Sequence, residues 1–250
     1  PIGNYYSCDV QPTCGLADEN GPIDSYDTVR SFYSPVRSRA QLIWFHKGFI
    51  EYRFPNIHNP LLTLNEISFR FELCSEAPGY LENWPSDITI SINGVETAVY
   101  CSPGDYGARR GKLTPPAWPN GNTQYGMLKT FSVKENGSYM DGRLVHAGIS
   151  LRDIAIESRP YISLKIEIKD NAKHIGGINI FGEKYGDYPQ GIVMNLTYEY
   201  RGNSSAMMYS ARCFRCFLRK SRVMRRETAF FAVSVHHLLQ FGRRLNCNRY

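Results

Sequence analysis

The stretch Ser102-Pro103-Gly104-Asp105-Tyr106-Gly107-Ala108-Arg109-Arg110-Gly111-Lys112 is the one best equipped to hold a ligand. Its glycines let a backbone approach a bound molecule closely. Asp105, Arg109, Arg110 and Lys112 offer a carboxylate and several donors. Trp118, Tyr106 and Tyr125 could stack on a sugar face, and Trp84 could join them if the loop at 78–87 comes alongside. Flat aromatics with a few convergent hydrogen-bonding groups are how a β-sandwich could hold a polyol or a glycan. The competing reading is a well-packed loop with a structural Arg–Asp pair.

Other constellations carry less. Glu72, Glu76, Glu82, Asp87 and Asp105 stand near the ends of strand-like runs and could supply the two carboxylates of glycoside cleavage, a chemistry decided by their separation. No nucleophile elbow, P-loop or dinucleotide fingerprint is present. Gly176-Gly177 has no helix after it and so makes no phosphate cradle. Binding rather than catalysis is therefore expected. Cys8 and Cys14 could ligate a metal with a distant histidine such as His46, His58 or His174, or be two semi-buried thiols. Cys213-x-x-Cys216 lacks a second pair at zinc spacing, and His236, His237 and Cys247 fit no standard pattern. The expectation is no metal site and no cofactor.

The elements that must position these loops are strands. Glu66 to Leu73 alternates, with Ile67, Phe69, Phe71 and Leu73 on one face and Ser68, Arg70 and Glu72 on the other. Ile88, Ile90 and Ile92 repeat the pattern, Asn93-Gly94 follows, and a strand resumes at Val95. Asn-Gly between alternating runs is a strong hairpin signal, because a type I′ turn needs positive φ at both central residues. AQLIWF and FIEYRF, separated by His46-Lys47-Gly48, read as a further hairpin. Runs at 127–134, 143–146, 161–168, 176–181 and 191–200 bring the total to about nine or ten strands, with no amphipathic helix before residue 200. The fold class expected is all-β: an antiparallel β-sandwich, jelly-roll-like. Residues 1–38 read as an extended N-terminal strap, 39–200 as the sandwich, and 201–250 as a basic tail that is foreign to the domain or disordered.

The charge divides the same way. Of 29 Lys and Arg and 23 Asp and Glu, residues 201–250 hold 11 basic residues and only Glu227, leaving the first two hundred net acidic. An acidic domain is a poor footprint for nucleic acid, so any basic partner surface would rest on the tail. No run of about 18 apolar residues exists to span a membrane. The opening PIGNYYSCDV has no basic region followed by an apolar one, so no secretory signal is visible. Seven cysteines at uneven spacing do not form a secreted disulfide framework. Reduced thiols in a cytoplasmic protein are expected, with Cys8–Cys14 or Cys74–Cys101 bridges as the alternative.

Several long stretches also carry a family resemblance: PIGNYYSCDVQPTCGLA at 1–17, RSFYSPVRSRAQLIWFHKGFIEYRFPN at 30–56, CSEAPGYLENWPSDITISINGVE at 74–96, SPGDYGARRGKL at 102–113, QYGMLKTFSV at 124–133 and HIGGINIFGEKYGDY at 174–188. Up to about Tyr198 the chain resembles the C-terminal domain of bacterial, mostly Firmicute, transcriptional regulators of the ArsR type. The resemblance implies a jelly-roll-like domain that binds an effector, mediates homodimerisation, or both. The effector would be small and polar or carbohydrate-like. DNA would be reached only through an N-terminal winged helix, and no helix-turn-helix pattern lies in these 250 residues. Metal sensing is not implied, because Glu72-Leu73-Cys74 ends a strand where the thiolate motif of such sensors sits on a helix. The residues expected to touch an effector are Asp105, Arg109, Arg110, Lys112, Trp118, Tyr125 and Trp84. A carbohydrate-binding β-sandwich module is the alternative.

Overall fold

The computed structural model describes residues 1–57 and 62–200. The described residues form twelve strands and three short 3-10 turns. The strands are β1 (Ser7–Asp18), β2 (Gly21–Pro22), β3 (Leu42–Pro55), β4 (Leu62–Cys74), β5 (Ser86–Ile92) and β6 (Val95–Ser102), followed by β7 (Met127–Lys134), β8 (Gly137–Met140), β9 (Arg143–His146), β10 (Tyr161–Ile168), β11 (Ile178–Phe181) and β12 (Val193–Tyr200). Every pairing is antiparallel. The hydrogen-bonded order is β6-β5-β10-β3-β11-β4-β7-β8-β9, with β1 beside β3 and β12 beside β4. One end of this path comes back to the other where Ser138 Oγ of β8, the strand before last, donates to the Thr97 carbonyl of β6 at 2.6 Å. The result is the expected antiparallel sandwich, nearly closed. No helix among the described residues is long and apolar enough to cross a membrane. The basic tail expected at 201–250 lies outside the described residues.

Strand β3 turns the corner between the layers. One edge carries β1 along most of its length. The other carries β11 from Leu42 to Phe45 and β10 from Gly48 to Pro55. The hairpin expected at His46-Lys47-Gly48 does not form, and the two runs make one continuous strand. Gly48 serves a close approach instead: it sits opposite Val10 at φ +102°, and a Cβ there would stand 2.0 Å from the Asp9 carbonyl oxygen. The strap expected over 1–38 likewise contains a full strand, β1. Its ladder breaks between Gln11 and Cys14, where Pro12 has no N–H to give. The bulge re-aims Thr13 out of the alternation.

The period-two runs bury as written. Ile67, Phe69, Phe71 and Leu73 on β4, Ile88, Ile90 and Ile92 on β5, and Ile162, Leu164, Ile166 and Ile168 on β10 fill the space between the layers. Each such side chain contributes about 1.5–3 kcal/mol on burial. Asn93 and Gly94 take φ +51° and +86° and close β5 to β6 as the turn chemistry requires. A second, smaller cluster lies on the opposite face of β3. Ile43 and Phe45 point into the main core, while Leu42 and Trp44 pack with Ala17, Cys74, Trp118, Phe181 and Tyr185. The long connections at 103–126 and 182–190 cover that face, and a cavity opens at its margin.

Candidate functional site

Three buried acids fasten the loops around the cavity. Glu72 is the last outward residue before the end of β4, and its carboxylate accepts the Gly126 N–H at 2.8 Å, the Asp187 N–H at 3.0 Å and the Tyr188 N–H at 3.1 Å. It thereby ties the connections before β7 and after β11 to one point. Asp105 accepts the Ala77 N–H at 3.0 Å and the Thr123 hydroxyl at 2.9 Å, while its own N–H donates to Leu81. Glu76 is 7% exposed; its N–H donates to the Gly176 carbonyl and its Oε2 accepts the Thr13 hydroxyl at 2.7 Å. Burial pushes all three carboxyls up to about 7. Hydrogen bonds to the charged form oppose the rise in each case, and the charge of Asp27 adds to it at Glu76.

The cavity measures about 360 Å³, inside the range of small-molecule sites. One wall is aromatic. Trp44 lies 6.0 Å from Trp118 and 6.0 Å from Tyr26, ring centre to ring centre. Trp118 is locked by its indole N–H to the Thr123 carbonyl at 2.9 Å and by an edge contact with Tyr185. The polar part of the lining is Thr13, Asp27, Glu76, Asn122, Thr123 and Asn179. Among the described residues no lysine or arginine lines it, and two acids do. Such a lining offers hydrogen-bonding partners to hydroxyl groups, and its acids disfavour phosphates and carboxylates. A second cavity of about 410 Å³ lies beside Leu64, Leu151 and Ile156. Glu135, Arg152 and Glu157 are the charged residues of its lining, and Arg152 pairs with Glu135 at 2.6 Å.

No protein-family model matches this chain, and no curated protein does.

Of the seven residues expected to touch a ligand, Trp118 lines the cavity and Asp105 braces it from beneath. The other five lie outside the lining. Arg109 forks onto Asp187, with Nη1 at 3.0 Å, and stacks over Tyr125 at 3.6 Å. Tyr125 in turn stacks on Tyr106. Arg110 donates to the carbonyls of Pro115 and Trp118 and to the Asn120 side chain. Lys112 has an exposed side chain and gives its backbone N–H to Asp187 at 3.0 Å. Trp84 packs near Gly176 with its indole N–H buried and unpartnered. The glycine-rich loop is thus a structural cover whose Arg–Asp pair staples it to the loop at 182–190. Sequence reasoning missed Thr13, Tyr26, Asp27, Trp44 and Asn179 as lining residues. The one available signal was Pro12, whose missing N–H forces the bulge that turns Thr13 toward Glu76.

Proposed function

We propose that this chain is the effector-binding domain of a bacterial transcription regulator of the ArsR type, and that its effector is a small, neutral, carbohydrate-like molecule. The observation that carries the ligand class is the cavity itself. The rings of Tyr26, Trp44 and Trp118, set at tilted angles to one another, share the lining with acids and amides and, among the described residues, with no lysine or arginine. Aromatic faces take the C–H side of a sugar, while carboxylates and amides take its hydroxyls. The regulator setting is supported by the resemblance over residues 1–198.

The origin of the lining supports coupling. Thr13, Tyr26 and Asp27 come from the N-terminal segment, the part of the chain that an N-terminal winged helix of such a regulator would adjoin. A ligand touching both that segment and the Glu76–Gly79 loop favours one arrangement of the two, and any attached DNA-binding part is biased with it. Homodimerisation through the same domain would bring two such parts together. We place the protein in the cytoplasm, where thiols such as those of Cys8, Cys14, Cys74 and Cys101, all unbridged, stay reduced.

Thermal unfolding of the full chain against a panel of neutral mono- and disaccharides and polyols tests the reading. A ligand that binds only the folded state raises the midpoint with its concentration. At least one member should do so, and Glu76→Gln should weaken the effect. A flat response to every member overturns the ligand class.

A further inference from the structure

A different cluster stands on the far side of the β5–β6 hairpin from its Asn93-Gly94 turn. Asp87 and Cys101 are direct cross-strand partners, so both side chains leave the same face. His174, from the connection between β10 and β11, closes over them. Its backbone is tied to Asp87 twice: the Asp87 N–H donates to the His174 carbonyl at 2.9 Å, and the His174 N–H donates to Asp87 Oδ2 at 3.1 Å. The side chains then converge. His174 Nδ1 lies 3.2 Å from Asp87 Oδ1, 3.2 Å from Oδ2 and 3.9 Å from Cys101 Sγ, and one donor atom from each residue falls within 4.8 Å of the others.

From this convergence we infer a binding site for a single divalent transition-metal ion of the zinc class, held by Asp87, Cys101 and His174. The donor set is right: a thiolate, an imidazole nitrogen and a carboxylate are the three ligand types zinc takes. The spacing is close to right as well. Tetrahedral zinc, with bonds of about 2.3 Å to sulfur and about 2.0–2.1 Å to nitrogen and oxygen, sets S···N about 3.6 Å and N···O about 3.3 Å apart. The histidine and aspartate are already at that separation, the thiol stands 3.9 Å from the ring nitrogen, and all three donor atoms lie within 4.8 Å of one another, so the thiol must close in on the other two. Cys101 is exposed and the other two are half-buried, so an ion can enter and keep a fourth position open to water or another ligand.

A nucleophilic Cys–His–Asp relay does not fit the same atoms. A relay needs the thiol and the carboxylate on opposite ring nitrogens. Here both face Nδ1, which is how ligands face a common ion. Burial and the neighbouring Asp87 push the Cys101 thiol up, and Lys173 opposes the rise, so metal binding must displace a proton from the thiol. The bound ion would fasten the 169–177 connection to the β5–β6 hairpin. That connection runs on to Gly176, whose carbonyl holds the Glu76 N–H.

Cobalt(II) titration of the reduced full chain tests the site. We expect a thiolate-to-cobalt absorption band that saturates at one ion per chain and is abolished by zinc. Cys101→Ser should remove the band, and His174→Asn should weaken cobalt binding at least tenfold. Both positions are partly or fully exposed, so folding should survive, and circular dichroism checks it. A Cys213→Ser/Cys216→Ser control should keep the band. No band in the parent chain, or a band that persists in Cys101→Ser or vanishes in the control, overturns the assignment.

Discussion

Thr13 donates its hydroxyl to Glu76 across 2.7 Å, joining residues 63 positions apart at the cavity wall. The bond exists because Pro12 interrupts the β1 ladder and the resulting bulge turns Thr13 off the strand's alternation. It also sets the charge of the wall. Burial raises the Glu76 carboxyl to about 7, and the Thr13 hydroxyl holds it from rising further.

Removing that hydroxyl should therefore raise the Glu76 midpoint. In Thr13→Val the charged carboxylate loses a donor and the neutral form is favoured. Carbon-detected NMR titration, with the Glu76 signal assigned through Glu76→Gln, should show the midpoint above that of the parent. An unchanged or lower midpoint would break the link between the bulge and the acid.

Stability should fall as pH rises through neutrality. Glu72 and Glu76 move from 4.5 to about 7 on folding, and Asp105 from 3.8 to about 7. Between those values the folded chain holds more protons than the unfolded one, so the stabilising contribution is complete below about 4 and is lost as pH climbs through 7. Asp87 and Asp187 are shifted down and act only at more acidic pH. The thermal midpoint should be higher at pH 5.5 than at pH 8, and the reverse order would contradict the burial argument.

Glu72→Ala should destabilise the fold by about 2 kcal/mol, because it removes the acceptor of the buried Gly126 N–H and of the part-buried N–H groups of Asp187 and Tyr188. Glu72→Gln keeps one acceptor oxygen and should cost less. Urea unfolding of the two variants gives the order directly.

How much of this could be read in advance depends on how local the cause is. The β5–β6 hairpin was legible because two adjacent residues, Asn93 and Gly94, carry the whole turn. The core face of β4 was legible because alternation is a property of one strand. Gly48 misled because a glycine needed for close approach to Asp9 looks the same in sequence as one needed for a turn. Strand β1 was hidden by Pro12, which breaks its alternation. Of the cavity lining only Trp118 was legible as a ligand residue, since Thr13, Tyr26, Trp44, Glu76 and Asn179 meet there only once β1, β3, β4 and β11 lie side by side. Arg109 and Arg110 drew attention as donors, and both are taken up by partners within the loops.

The effector claim rests on the aromatic wall, and Tyr26 is its most exposed member at 51%. Its ring can be removed with little effect on folding. The decisive measurement is calorimetric titration of the parent chain and Tyr26→Ala, at pH 7, with the best neutral saccharide from the panel. One site per chain is expected in the parent and at least tenfold weaker binding in the variant, with thermal stability unchanged. Equal affinity in the two proteins would contradict the effector claim.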